Sequence, residues 1–132
     1  MADTIILGPG EGRHYAMGRL QASFKVDQTR GTRRYTVSEW WCDPGFTGVG
    51  AHHHEANDEI FYVIEGRAEI LTGDAWHVVE RGGFARIPAG VRHDFRNGGT
   101  ARCGLLNVYL PGGFEAAMPG IVAWFADHPD GA

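Results

Sequence analysis

The sequence predicts an all-β fold, a sandwich or barrel of roughly eight to ten short strands. Runs of β-branched and aromatic residues recur throughout the chain, and 20 glycines and 6 prolines punctuate them at regular intervals. Helical periodicity is nearly absent before the C-terminal fifth. At 132 residues the chain is one domain, long enough for a single core but not for two.

The elements follow in order. Residues 4–7 form a short β-rich run ended by the turn cluster Gly8-Pro9-Gly10, and residues 16–26 alternate well enough for a strand. Residues 34–42, RYTVSEWWC, are strand formers that stop at Pro44 and Gly45. Within them Glu39 is polar amid aromatics, and either faces solvent or reaches inward as an outer acid. Residues 68–72 and 75–80 flank Gly73 and Asp74, a hairpin signal. A short strand before Pro88, another over residues 91–96 and a long apolar one over residues 101–110 complete the set. Residues 114–118 and 121–126 suit short helical turns, broken at Pro119 and Gly120, and the last six residues read as frayed.

Chemistry concentrates in residues 52–66, HHHEANDEIFYVIEG. On a strand, successive side chains point to opposite faces, so His52 and His54 converge while His53 points away. Residues 55–58 form a polar loop, and Glu59 opens the returning strand roughly opposite His54, where side chains stand about 5 Å apart. His93, in the strand over 91–96, is a fourth candidate. Three imidazoles and one carboxylate suit one divalent transition metal ion, Fe, Mn, Ni, Co, Cu or Zn, better than Mg or Ca. His14, His53, His77 and His128 carry no such pattern.

Two spacings give these residues a family resemblance. His52, one residue, His54, four residues, Glu59, six residues and Gly66 resemble the first cupin motif. Gly82, five residues, Pro88, one residue, Gly90, two residues, His93, three residues and Asn97 resemble the second. One departure is Phe46, where the family often carries a glycine six positions before the first histidine. The resemblance covers about residues 35–110 of a single cupin domain spanning 1–132, and implies a double-stranded β-helix, or jelly-roll barrel, with the metal inside.

The resemblance also implies activities. Residues 15–26 and 110–115 are similar to small bacterial cupins of the quercetin 2,3-dioxygenase-like group. That implies a metal-dependent oxidoreductase acting on an aromatic or enolisable small molecule, with Glu59 as both ligand and catalytic general base. Two alternatives stand beside it: an O₂-independent isomerase, lyase or decarboxylase, and a non-catalytic metabolite-binding cupin. If Glu59 and His93 point inward, so do Phe61, Val63 and Phe95, which become substrate-pocket candidates. Ile60, Tyr62 and Ile64 then form an apolar outward face suited to a homodimer.

Composition excludes other classes. A formal charge of −4 without a basic run argues against nucleic acid, and no segment approaches membrane-spanning length. The N-terminus lacks the pattern of a signal peptide, so the expected setting is cytoplasmic. Cys42 and Cys103 lie far apart in the chain and outside any redox spacing, which predicts reduced, packed thiols rather than a disulfide.

Overall fold

The structure is a computed structural model that describes residues 4–132. Nine strands occupy the described residues: β1 (Arg13–Met17), β2 (Leu20–Val26), β3 (Thr36–Cys42), β4 (Asp58–Glu65), β5 (Arg67–Thr72), β6 (Ala75–Glu80), β7 (Phe84–Ile87), β8 (His93–Arg96) and β9 (Cys103–Leu110). A 3-10 turn (Phe114–Ala117) and helix α1 (Met118–Asp127) follow. The strands form a six-stranded sheet in the order β1-β2-β3-β9-β4-β7 and a three-stranded sheet in the order β6-β5-β8. Every strand pair is antiparallel. This is the jelly-roll architecture expected from the sequence.

The core lies between the sheets, because the alternation of β3, and of β9 from Leu105 onward, buries every second residue on one face. Phe24, Trp40, Phe61, Val63 and Leu105 from the large sheet meet Ala68, Ile70 and Phe95 from the small one. The rings of Trp40 and Phe95 stand 6.1 Å apart at 70°, and those of Phe61 and Phe95 5.8 Å apart at 46°. Such edge-on and tilted contacts each add to the area buried.

Several elements differ from expectation. Residues 4–7 form no strand. The run 16–26 is the end of one strand and the whole of the next, because Gly18, at φ 63°, makes a tight turn between β1 and β2. At the C-terminus, Pro119 does not divide the helix. It occupies the first turn of α1, where its missing N–H has no partner to lose, and α1 runs on through Gly120.

The tail is also stitched down rather than frayed. The N–H groups of Arg19 and Thr47 donate to the carbonyls of Pro129 and Asp130 at 2.9 and 2.8 Å, and that of Ala132 donates to Gly48 at 2.9 Å. The Arg19 guanidinium meets Asp130 at 2.6 Å.

The cysteines, distant in sequence, are neighbours. The β3–β9 register sets Cys42 directly opposite Cys103, both as free, buried thiols. Their mutual hydrogen bond, with burial added, pushes the Cys42 thiol well up and keeps it in the unreactive neutral form.

Candidate metal centre

The four residues singled out by spacing meet at one end of the barrel. One donor atom each from His52, His54, Glu59 and His93 lies within 4.8 Å of the other three. The route differs in part from the expected one. His52 to His54 are not a regular strand: His52 makes only an isolated bridge to His93, and His54 lies in the loop beyond it. Glu59 pairs in register with Ile87 and Tyr109 rather than with His54.

Backbone contacts between the two motifs replace the expected strand. His52 N–H donates to His93 O at 3.0 Å and His93 N–H to His52 O at 2.7 Å. Gly90, at φ 85°, turns the second motif so that its N–H reaches His54 O at 2.8 Å. Asp58 holds the same turn by accepting from Ala89 N–H at 2.8 Å. The departure at Phe46 leaves the chain's approach to His52 intact. Gly45 makes the turn at φ 86°, and Phe46 packs into the core beside Phe95 and Phe125.

Each ring is oriented from behind. Nδ1–H of His52 donates to Gly50 O at 2.7 Å and that of His93 to Val91 O at 2.9 Å, which leaves both Nε2 lone pairs for the centre. The Tyr109 hydroxyl lies 3.4 Å from His54 Nδ1. Asn107 donates its amide N–H to Glu59 Oε1 at 3.0 Å, so Oε2 is the oxygen that faces the histidines.

These donors fit a divalent transition metal ion. His54 Nε2 is buried and has no hydrogen-bond partner, with Glu59 Oε2 3.2 Å away. His93 Nε2 and Glu59 Oε2 crowd to 2.5 Å. Donor atoms about 2.1 Å from one ion stand no more than about 4.2 Å apart, so small side-chain adjustments bring this cluster to coordination distance.

Electrostatics agree with that reading. Burial raises the Glu59 carboxyl, but the His54 and His93 imidazoles outweigh it and bring its pKa down to about 2. Burial lowers His52 below its ordinary value. His93 is pushed down by burial yet held above its usual value by hydrogen bonds to Glu59 and the Val91 carbonyl.

A cavity of about 420 Å³ opens over the cluster, walled by Trp40, Val49, Phe61, Phe95, Phe114 and Ile121, with Asn107 and Ala117 at its margin. Phe61 and Phe95 are therefore where alternation predicted. Val63 is not on this wall: it is wholly buried one pleat further into the core. Glu39 alternates to the opposite face of β3 with Val37 and Trp41, and lies 3.8 Å from Lys25.

The C-terminal segment closes one side. Buried Asp27 accepts from Gly113 N–H at 2.8 Å and Glu115 N–H at 2.6 Å, while Glu115 pairs with Arg13 at 2.7 Å and accepts from the Tyr15 hydroxyl at 2.7 Å. These bonds set Phe114 and Ile121 over the centre.

Sequence reasoning placed Trp40 and Val49 in no pocket, and it missed Asn107, Phe114 and Ile121 as well. Asn107 had one visible signal, as the lone amide in an otherwise apolar strand. Phe114 and Ile121 had none, since only the fold brings the C-terminal turn to the barrel mouth.

A two-sheet antiparallel barrel with three histidines and a carboxylate converging at its mouth defines a jelly-roll protein able to hold a metal ion. The Cupin_2 (Cupin domain) family model matches residues 40–109, just over half of the chain, and the chain belongs to the cupin family. A stretch of 65 residues is 37% identical to the uncharacterized protein SCO3923 of Streptomyces coelicolor, over 49% of this chain and 60% of that protein. The match thus spans less than two thirds of that relative's length.

Among solved structures, KdgF from Halomonas sp. superposes with a TM-score of 0.72 at 16% identity, over 86% of this chain and 99% of that one. The polyketide cyclase RemF from Streptomyces resistomycificus does so with a TM-score of 0.71 at 22% identity, over 82% and 80%. At these identities the likeness establishes the fold. No helix among the described residues is long and apolar enough to cross a membrane.

Proposed function

We propose that the protein is a metal-dependent oxidoreductase of dioxygenase type, acting on an aromatic or enolisable small molecule. The observation that carries this reading is the opening of the four-donor cluster into a cavity walled by aromatic and aliphatic side chains. A bound redox-active divalent ion would supply Lewis acidity and a site for dioxygen chemistry.

The chain's own residues bind, orient and move the proton. Trp40, Phe61, Phe95 and Phe114 clasp a ring and exclude water. Glu59, ionised at neutral pH and steadied by Asn107 on Oε1, accepts the proton of a substrate hydroxyl through Oε2.

The test is oxygen uptake by metal-loaded protein with hydroxylated aromatics and 1,3-dicarbonyl compounds. Uptake coupled to substrate loss is expected, falling by about 10²- to 10⁴-fold in Glu59→Gln protein that keeps its metal. Full activity in that variant would remove the general-base role. Turnover that persists under argon would make the site a Lewis-acid isomerase, lyase or decarboxylase. Thermal stabilisation by a ligand without any turnover would make it a metabolite-binding cupin.

We also infer that a second copy of the chain covers the outer face of the large sheet. Cross-strand neighbours Val37, Val108 and Ile60 form one apolar run there, ended by Arg86, and Leu106, Tyr62 and Phe84 another, ended by Glu39. An apolar face of this kind complements itself across a two-fold axis.

A further inference from the structure

Among the described residues, the cavity wall contains no lysine or arginine. Its polar side chains are the four donors and Asn107, and the Asn107 amide is already spent on Glu59 Oε1 and the Ile60 carbonyl. Arg13, beneath the 3-10 turn, is committed to Glu115. With neutral histidines, a divalent ion set against the single carboxylate of Glu59 leaves the loaded centre with a net charge of +1.

That charge balances one negative charge and no more. A second would sit against Trp40, Phe61, Phe95 and Phe114, with no lysine or arginine among the lining residues to receive it. Burying an uncompensated charge among such groups is strongly unfavourable. Asp94, the buried acid of β8, accepts from the N–H groups of Val49 and Phe95 and is not on the wall, so it does not alter this charge count.

We propose that this cavity selects planar, apolar molecules bearing a single negative charge, such as a phenolate, an enolate or an aromatic monocarboxylate, and rejects dicarboxylates and phosphates. The inference rests on the metal-site part of the reading above and not on the oxygen chemistry. The cavity's volume of about 420 Å³ lies in the lower part of the range for small-molecule sites, which suits one or two fused rings. Selection is by charge count as well as shape, because the wall supplies orientation and the centre alone supplies charge.

Zinc-loaded protein tests this without redox chemistry. Zinc content is measured first, and calorimetric titration then compares 2-naphthoate with 2,6-naphthalenedicarboxylate. The monoanion should bind at least about 30-fold more tightly, and protein stripped by a chelator should bind neither. The Ala117→Arg variant, at an exposed position on the cavity margin, adds the missing cation and should narrow the ratio about 10-fold or more with zinc content unchanged.

Equal or tighter binding of the dicarboxylate, no binding of the monoanion, or an unaltered ratio in Ala117→Arg would overturn the proposal. Protein that takes up no zinc would overturn it together with the metal reading. Loaded protein that shows the charge preference yet consumes no oxygen with any substrate would sink only the oxidoreductase reading.

Discussion

Asn107, on β9, donates an amide hydrogen to Oε1 of Glu59, on β4, at 3.0 Å, and so decides which oxygen of that carboxylate faces the histidines. Without this bond the carboxylate could turn or present both oxygens. Asn107→Leu keeps the volume and deletes the donor. It should weaken metal affinity by about 10- to 100-fold, as loss of a supporting hydrogen bond typically does, with the far-ultraviolet circular dichroism unchanged. Chelator competition measures this, and the visible spectrum of the cobalt-loaded protein reports any change in coordination.

Protein purified without chelator or added metal should carry close to one transition metal ion per chain by elemental analysis. His52→Ala and His93→Ala should each abolish it, since the two residues share one backbone bridge and one cluster. Retention of metal by both variants would place the ion elsewhere.

In chelated protein the buried Glu59–His93 pair makes stability depend on pH with two opposite signs. Glu59 is depressed to about 2, so its contribution is present above its unfolded value of about 4.5 and is lost as pH falls towards 2. His93 is raised, so its contribution is present below its unfolded value near 6.5 and is lost as pH rises through the folded value. The wild-type advantage over Glu59→Gln should therefore be greatest between about pH 4.5 and 6.5, at the order of 3 kcal/mol. Urea unfolding of both proteins from pH 3 to 8 checks the profile, and an advantage that does not vary with pH would refute it.

Asp27 is almost wholly inaccessible and accepts the N–H groups of Gly113 and Glu115. Asp27→Ala leaves the Glu115 N–H without its acceptor, while Gly113 N–H keeps the Thr36 hydroxyl at 3.1 Å, and should cost about 1–3 kcal/mol in denaturant unfolding. Because these bonds seat Phe114 over the cavity, the variant should also bind more of a hydrophobic dye in its native state.

If a second copy covers the large sheet, analytical ultracentrifugation should find a dimer at micromolar concentration. Phe84→Glu and Tyr62→Glu, at positions 61% and 43% exposed in the single chain, should weaken it by about 100-fold or more while leaving the melting temperature of the monomer nearly unchanged. A wild-type protein that sediments as a monomer would leave the apolar face without this partner.

By itself the sequence determined the all-β class, most strand positions and the four metal-ligand candidates. Those features rest on short-range rules: alternation along a strand, turn-forming glycines and prolines, and two motifs each with short internal spacings. Tertiary structure alone decided what stands behind and over the ligands. Asn107 reaches Glu59 across 48 positions of chain, and Arg13 reaches Glu115 across 102. No local pattern encodes such meetings, because they depend on which strands become neighbours in the sheet. The same reason explains why Cys42 and Cys103 face each other, why the tail is pinned to the loop before His52, and why Val63 serves the core. Strand order, and not strand identity, gathered four potential metal donors beneath one apolar cavity.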